Sequence, residues 1–91
     1  MYRIVLTKQA QKDYNYWESS GNMVALEKII ELLEDITKHP FVGIGKPEQL
    51  KYDLAGKWSR HINNKHRIVY SVNNETMEVN VFTMQYHYTK K

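Results

Sequence analysis

With 91 residues, of which 42% are hydrophobic and 25% charged, the chain has the composition of one globular domain spanning residues 1–91, which disfavours disorder. The longest apolar runs fall far short of the roughly 20 residues that cross a bilayer, and the N-terminus is polar too early for a signal peptide, so we expect a cytoplasmic protein. Cysteine is absent, so we expect neither disulfides nor thiolate metal sites. The net charge of +3 is the sum of −1 for residues 1–45 and +4 for residues 46–91. This distribution indicates that a polyanion would bind the second half. A solvated basic surface without a ligand would have the same charge distribution.

The first elements are a strand and a short helix. Residues 3–6 are apolar and β-branched and predict a strand, and Thr7 is a suitable N-cap for the helix that follows. One face of this helix carries apolar residues at helical spacing, namely Ala10, Tyr14 and Trp17. The polar residues 19–22 include a glycine and end it.

A second helix begins near Met23. Apolar residues repeat at helical spacing on a wide stripe, formed by Leu26, Ile29, Ile30, Leu33 and Ile36. Lys38 in the last turn complements the helix dipole. His39 precedes Pro40, and the residue before a proline disfavours the helical conformation, so the helix ends there.

The second half of the chain changes from helical to strand periodicity. Residues 41–49 contain two glycines and a proline and predict a long loop. Three strand-like runs follow at residues 57–62, 67–72 and 77–86, joined by short polar turns that predict antiparallel hairpins. The order β-α-α-β-β-β predicts an α+β domain in which two helices pack on one face of an antiparallel sheet and leave the other face partly open.

Groups capable of chemistry concentrate near this open face and the long loop. They are Glu48, Lys51, Arg60, His61, His66, Arg67, His87 and Tyr88. Each has an ordinary structural interpretation as well. A loop glutamate is usually a surface carboxylate, strand cations are usually solvated or paired with a neighbouring acid, and residues near a terminus are often frayed.

Several site classes lack the residues that they need. The four histidines form no H-x-x-x-H pair on a helix and have no acidic residue at a ligand-like spacing, so we expect no metal site. No serine stands in a G-x-S-x-G turn, and the glycine-rich segment before Pro47 is too short for a phosphate-binding loop. Acid–base catalysis without a cofactor remains.

The sequence blocks of the second half resemble a known family. The segment G-x-G-K-P-E-x-L-K at 43–51, the W-S-R segment at 58–60, H-R-I-V-Y at 66–70 and the closing Y-H-Y at 86–88 are similar in order and spacing to the YoeB/Txe family of the RelE superfamily of toxins. The resemblance covers nearly the whole chain and implies the RelE-like microbial ribonuclease fold.

The resemblance implies an endoribonuclease, an mRNA interferase that enters the ribosomal A site and cleaves messenger RNA there with the ribose 2′-hydroxyl as nucleophile. Glu48 matches the family's general base, Arg67 its phosphate-stabilising arginine and His87 its general acid. Tyr88 matches the residue that stacks on or orients the substrate. These side-chain types suit acid–base catalysis without a metal.

The same resemblance implies supporting contacts and partners. Lys51 and Arg60 would hold the phosphate backbone, and His61 stands where relatives have a second arginine, so its phosphate contact would depend on protonation. The tail 89–91 extends beyond the usual end of relatives and adds two positive charges. A YefM/Axe-like antitoxin would neutralise the toxin, and a homodimer is expected.

Two other functions keep the same fold. A gyrase-poisoning toxin of the superfamily would not need the Glu48, Arg67, His87 and Tyr88 set. A non-catalytic protein would bind RNA or the ribosome through the basic face and block translation without cutting the message.

Overall fold

The computed structural model describes residues 1–86, and the elements follow the expected order with two short additions. They are β1 Arg3–Leu6, α1 Lys8–Ser19, α2 Met23–Lys38, β2 Glu48–Gln49, a 3-10 helix at Tyr52–Leu54, β3 Trp58–His61, β4 Arg67–Asn73 and β5 Glu78–Thr83. The additions are β2, a two-residue strand at the end of the loop predicted for residues 41–49, and the 3-10 helix that follows it. The predicted α+β architecture is therefore confirmed.

Both helices begin at side chains that accept a hydrogen bond from a backbone amide in the first turn. Thr7 Oγ1 accepts from the amide of Ala10 at 3.1 Å, as its sequence position predicts. Asn22 Oδ1 caps α2 by accepting from the amide of Ala25 at 3.0 Å. The second helix ends at Lys38, directly before His39, in agreement with the proline signal.

The sheet has the strand order β1-β5-β4-β3-β2. Strands β2 to β5 pair antiparallel, and the short turns predict this for β3 with β4 and for β4 with β5. The exception is β1, which pairs parallel with β5 at the sheet edge. The two helices between β1 and the hairpins provide the long crossover that a parallel pair requires, so the sheet is mixed.

The core lies between the helices and one face of the sheet. Its fully buried members include Ala10, Ile29, Leu32, Ile36, Ile68, Tyr70, Val79 and Val81. The stripe predicted for α2 is shifted by part of a turn: Ile30, predicted as core, is 42% exposed, and Leu32 is buried instead. Ala25, Ile29, Leu32 and Ile36 follow one helical face, and this face, rather than the wider stripe, points to the sheet.

Among residues 1–86, no helix is both long and apolar enough to cross a membrane.

Candidate active site

Strand register brings three of the candidate residues to one face of the sheet. Glu48 of β2 lies opposite Ser59 of β3, and His61 of β3 lies opposite Arg67 of β4. Side chains two residues apart on a strand share a face, and so do directly opposed residues. Glu48, His61 and Arg67 therefore project from the same face, the one opposite to the helices.

The electrostatics of His61 agree with this grouping. Burial lowers the pKa of its imidazole, the positive charges of Arg67 and Lys46 lower it further, and the negative charge of Glu48 opposes them. The backbone geometry agrees, because Arg67 pairs directly with His61 and Lys46 follows Gly45, whose carbonyl accepts from the amide of His61 at 2.7 Å. Because its pKa is lowered, the neutral form of His61 is favoured at neutral pH. Lys46 is a member of this group that the sequence reasoning had not singled out.

Arg67 keeps its positive charge without a carboxylate partner in the described part of the chain. Its Nη1 donates to the carbonyl oxygens of Asn63 at 3.2 Å, Asn64 at 3.4 Å and His66 at 3.4 Å, all in the turn before β4. The cross-strand acid considered from the sequence is not among these partners. These contacts orient the guanidinium and leave its charge available to an anion.

Glu48 and Lys51 lie on the segment that leads from the loop into β3. The side chain of Glu48 is exposed, and Lys51 is exposed three residues later, after the buried Leu50. The amide of Leu50 donates to the carbonyl of Lys57 at 2.9 Å, which fixes the segment against β3. No side-chain hydrogen bond or ion pair joins Lys51 to Glu48, His61 or Arg67 within the described residues.

Arg60 does not lie in the site, so its predicted contact with phosphate is wrong. Its side chain is fully buried, on the helix side of the sheet, and cannot reach a ligand on the open face. All five of its N–H donors are satisfied inside the protein, by Asp35 Oδ2, the Tyr70 hydroxyl and the carbonyl oxygens of His39, Val42 and Ile44. The sequence contained the signal, because Arg60 alternates in phase with Trp58 and Ile62.

The segment that follows β5 is anchored to α1. Asp13 is only 3% exposed, and its Oδ2 accepts a 2.8 Å hydrogen bond from the amide of Met84. The indole Nε1 of Trp17 donates to the carbonyl of Met84 at 2.7 Å. Two side chains from one helix face thus bind both polar backbone groups of Met84. Sequence reasoning identified Trp17 as a core residue but assigned no role to Asp13.

The anchored segment then passes beside Arg67. The amide of Arg67 donates to the carbonyl of Tyr86 at 2.9 Å, and His66 Nδ1 accepts from the amide of Tyr86 at 2.6 Å. The chain is thereby held next to the candidate site when it reaches residue 86. His87 and Tyr88, which the sequence analysis expects in the site, lie outside the described residues, so their roles stay predictions.

In the described part of the chain this face holds no metal cluster, and an apolar cavity of the structure lies elsewhere. Within residues 1–86, no three His, Asp or Glu side chains lie close enough together to hold a metal ion. A cavity of about 420 Å³ opens between the two helices and β1, on the other side of the molecule, and its apolar lining includes Ile4, Leu6, Tyr14, Ile30 and Leu33. The exposed Ile30 is part of this lining.

Comparison with known proteins gives consistent matches over nearly the whole chain. Residues 6–88 match the model of the family described as "YoeB-like toxin of bacterial type II toxin-antitoxin system". Toxin YoeB of Escherichia coli strain K12 is 37% identical over 86 residues, which are 94% of this chain and 99% of that protein. Toxin YoeB of Streptomyces coelicolor is 41% identical over the same shares of both chains.

Solved structures give the same result. The YoeB/ParE toxin from Agrobacterium tumefaciens has a TM-score of 0.88 at 38% identity, covering 94% of this chain and 99% of that one. The toxin in the heterotetrameric YoeB-YefM complex from Staphylococcus aureus has a TM-score of 0.82 at 38% identity, covering 97% and 99%. Sequence, family model and fold agree, and this chain belongs to the YoeB toxin family of bacterial type II toxin–antitoxin systems.

Proposed function

We propose that this toxin is a ribosome-dependent endoribonuclease that cleaves messenger RNA in the ribosomal A site by acid–base catalysis, without a metal. The observation that carries the proposal is the common face of Glu48, His61 and Arg67, set by the register of β2, β3 and β4. A carboxylate and a guanidinium with charge available to an anion, on one open surface, are the groups that 2′-hydroxyl attack on a neighbouring phosphate requires.

Each chemical step has a candidate residue. Glu48 removes the proton of the ribose 2′-hydroxyl, whose oxygen then attacks the adjacent phosphorus and forms a 2′,3′-cyclic phosphate. Arg67 stabilises the negative charge that builds on the non-bridging oxygens. The bond to the 5′-oxygen of the next nucleotide breaks, and His87 donates the proton that this leaving group needs. Tyr88 stacks on or orients a base.

The remaining cations of this region bind the message backbone. Lys46 lies close enough to His61 to lower the pKa of the imidazole, and Lys51 is exposed on the same segment as Glu48. Both can contact phosphates. His61 contributes hydrogen bonding rather than charge near neutral pH, because its pKa is lowered. This differs from an arginine at the same position, which would stay charged.

We further propose a cytoplasmic toxin of one domain that forms a homodimer and is neutralised by a YefM-like antitoxin. The support comes from relatives: one solved structure is a YoeB-YefM complex from Staphylococcus aureus, and another is a YoeB dimer from the same organism, 39% identical to this chain with a TM-score of 0.83. An antitoxin that covers the Arg67 face needs negative charge, which an acidic segment that folds on binding would supply.

Two alternatives remain distinguishable from this proposal by their products. A gyrase-poisoning toxin of the same superfamily would leave the message intact and produce DNA breaks. A non-catalytic inhibitor would stall ribosomes on intact message. The common face of Glu48 and Arg67 favours the nuclease, because neither alternative requires a carboxylate beside a phosphate-binding guanidinium.

Primer extension on ribosome-bound message, with and without the toxin, tests the three functions together. We expect new 5′ ends within codons, dependent on the ribosome, and mass spectrometry of the upstream fragment should detect a 2′,3′-cyclic phosphate or its hydrolysed form. Glu48→Gln serves as the matched control, since it keeps the shape of the side chain and removes the base. A 3′-hydroxyl on the upstream fragment, or intact message on stalled ribosomes, would refute the proposal.

A further inference from the structure

The buried guanidinium of Arg60 binds the loop that leads to Glu48. Three of its five acceptors are backbone carbonyl oxygens of this loop, residues 39–47: His39 at 2.5 Å, Val42 at 2.9 Å and Ile44 at 3.1 Å. A loop of nine residues without regular structure has many conformations, so three bonds to one rigid, planar group fix much of its path.

Asp35 and Tyr70 complete the arrangement from the other side. Asp35 Oδ2 accepts from Arg60 at 2.5 Å and from the amide of Ile44 at 3.2 Å. The Tyr70 hydroxyl accepts from Arg60 Nε at 3.1 Å and donates to the carbonyl of Pro40 at 2.8 Å. Asp35 and Tyr70 therefore each bind both Arg60 and the loop. We call Asp35, Arg60 and Tyr70 the loop clamp.

The ionisation states of the clamp support this arrangement. Burial by itself raises the pKa of the Asp35 carboxyl, but the hydrogen bond and the charge of Arg60 outweigh it and hold the pKa below its usual value. Burial raises the pKa of the Tyr70 hydroxyl, which keeps it protonated and able to donate to Pro40. The clamp is thus a charged pair with a neutral phenol at neutral pH.

The clamp is directly linked to the position of Glu48. Arg60 stands in β3 between Ser59, which pairs with Glu48, and His61, whose amide donates to the carbonyl of Gly45 at 2.7 Å. The loop also approaches too closely for side chains at its glycines. A Cβ on Gly45 would lie 2.5 Å from Leu32 Cδ2, and one on Gly43 would overlap with the carboxylate of Asp35.

We propose that Arg60, through the loop clamp, is a positioning residue that sets the backbone before Glu48 in its catalytic place before any message binds. This inference rests on the proposed nuclease function, since it assigns Glu48 the role of base. If the base is already in place, substrate binding does not have to supply the free energy that orders the loop before Glu48. Lysine cannot replace Arg60, because three donors on a flexible stem cannot satisfy five fixed acceptors.

Tyr70→Phe tests the inference most cleanly, because it removes one hydroxyl from the clamp and keeps the ring in the core. Arg60→Lys is the second variant. The matched control is Ile68→Val, a core change at the residue paired with Arg60 in β4 that touches no clamp bond. Comparisons are made at temperatures equally far below each variant's melting temperature, so that a loss of stability alone has the same effect in all three.

Two readouts separate positioning from simple destabilisation. We expect Tyr70→Phe to slow single-turnover cleavage at saturating ribosomes by about tenfold or more, with ribosome binding unchanged, because a misplaced base affects the chemical step. In the free protein, hydrogen exchange at the amides of Ile44 and His61 should accelerate by a similar factor. Ile68→Val should change neither quantity.

The outcomes distinguish this inference from the function on which it rests. If Glu48→Gln is inactive but Tyr70→Phe cleaves and exchanges like Ile68→Val, the positioning role of the clamp is refuted and the nuclease assignment stands. If Glu48→Gln cleaves like the wild type, the proposed role of Glu48 fails. In that case faster exchange in Tyr70→Phe supports a clamp that positions the loop, and unchanged exchange overturns it.

Discussion

The imidazole of His66 accepts, at Nδ1, a 2.6 Å hydrogen bond from the backbone amide of Tyr86. The ring also packs edge-on against Trp17, with centroids 4.9 Å apart. Burial lowers the pKa of this imidazole and the nearby charge of Lys65 lowers it further, so the neutral form that can accept at Nδ1 is favoured in the fold. Protonation would place a second donor opposite the Tyr86 amide and break the bond.

Acidification should therefore release Tyr86 from His66. In the folded protein the pKa lies below the ordinary value of about 6.5, so between these two values the unfolded chain binds more protons, and the free energy of unfolding falls as the pH decreases. Above pH 6.5 this contribution is constant. Amide NMR of Tyr86 during acidification from pH 8 should show the transition with a midpoint below 6.5.

His66→Phe is the control for this pH effect, since it keeps an aromatic ring beside Trp17 and removes the acceptor. The Tyr86 amide should then lose its titration, while a smaller pH dependence of stability persists, because burial also lowers the pKa of His61. A Tyr86 amide in the wild type that titrates with a midpoint at or above 6.5, or that keeps its titration in His66→Phe, would contradict the account.

Asp13→Ala should destabilise the protein by about 1–3 kcal/mol, because it leaves the buried amide of Met84 without an acceptor. Asp13→Asn should cost much less, since its carbonyl oxygen can occupy the position of Oδ2. Urea unfolding of the three proteins measures the difference. Equal losses for the two variants would mean that the charge of Asp13, rather than the bond to Met84, stabilises the fold.

Gly43→Ala should be more damaging than Gly21→Ala. Both glycines have a positive φ, +127° and +80°, so both substitutions are strained, by about 1–3 kcal/mol each. At Gly21 an added Cβ meets no atom within 4 Å, whereas at Gly43 it overlaps with the carboxylate of Asp35. Thermal or urea unfolding compares them directly. A loss for Gly43→Ala no greater than for Gly21→Ala would show that the loop moves aside freely.

Cleavage should persist in EDTA, provided that the ribosomes are first assembled and then stabilised without free divalent ions. The proposed chemistry uses protein side chains to move protons and to stabilise charge, so no metal takes part in it. The measurement is single-turnover cleavage before and after chelation, with ribosome integrity followed by sedimentation. Loss of cleavage on intact ribosomes, restored by Mg²⁺ or Zn²⁺, would contradict the mechanism.

The sequence predicts most of the elements because their signals are local. The cap at Thr7, the proline after His39 and the short turns before β4 and β5 each act over a few residues, and all appear in the structure. The parallel pairing of β1 with β5 joins distant parts of the chain and has no such local signal. Likewise Ile30 is apolar and correctly spaced for the core, but the orientation of α2 leaves it exposed.

The face of the sheet on which a candidate residue lies was predictable from strand register. The burial of a charged side chain in the core was not predicted. His61 and Arg67 follow from the hairpin joining β3 to β4, and Glu48 from the family's sequence blocks. Arg60 has the side chain of a phosphate ligand, but its phase along β3 places it in the interior, where carbonyl oxygens of the loop replace phosphate. The residue type of Arg60 suggested a phosphate contact, whereas its position in β3 makes it a ligand of the loop carbonyl oxygens.

The most direct test of the central claim compares chemistry with binding at the residues assigned to each. Glu48→Ala, Arg67→Ala and His87→Ala should each slow single-turnover cleavage at saturating ribosomes by about 10²-fold or more and leave ribosome binding nearly unchanged. Lys51→Ala should do the reverse, weakening binding in a salt-dependent way and sparing the rate at saturation. If Arg67→Ala and His87→Ala cleave at near wild-type rates once binding is saturated, the catalytic assignment is wrong and the basic face serves for docking alone.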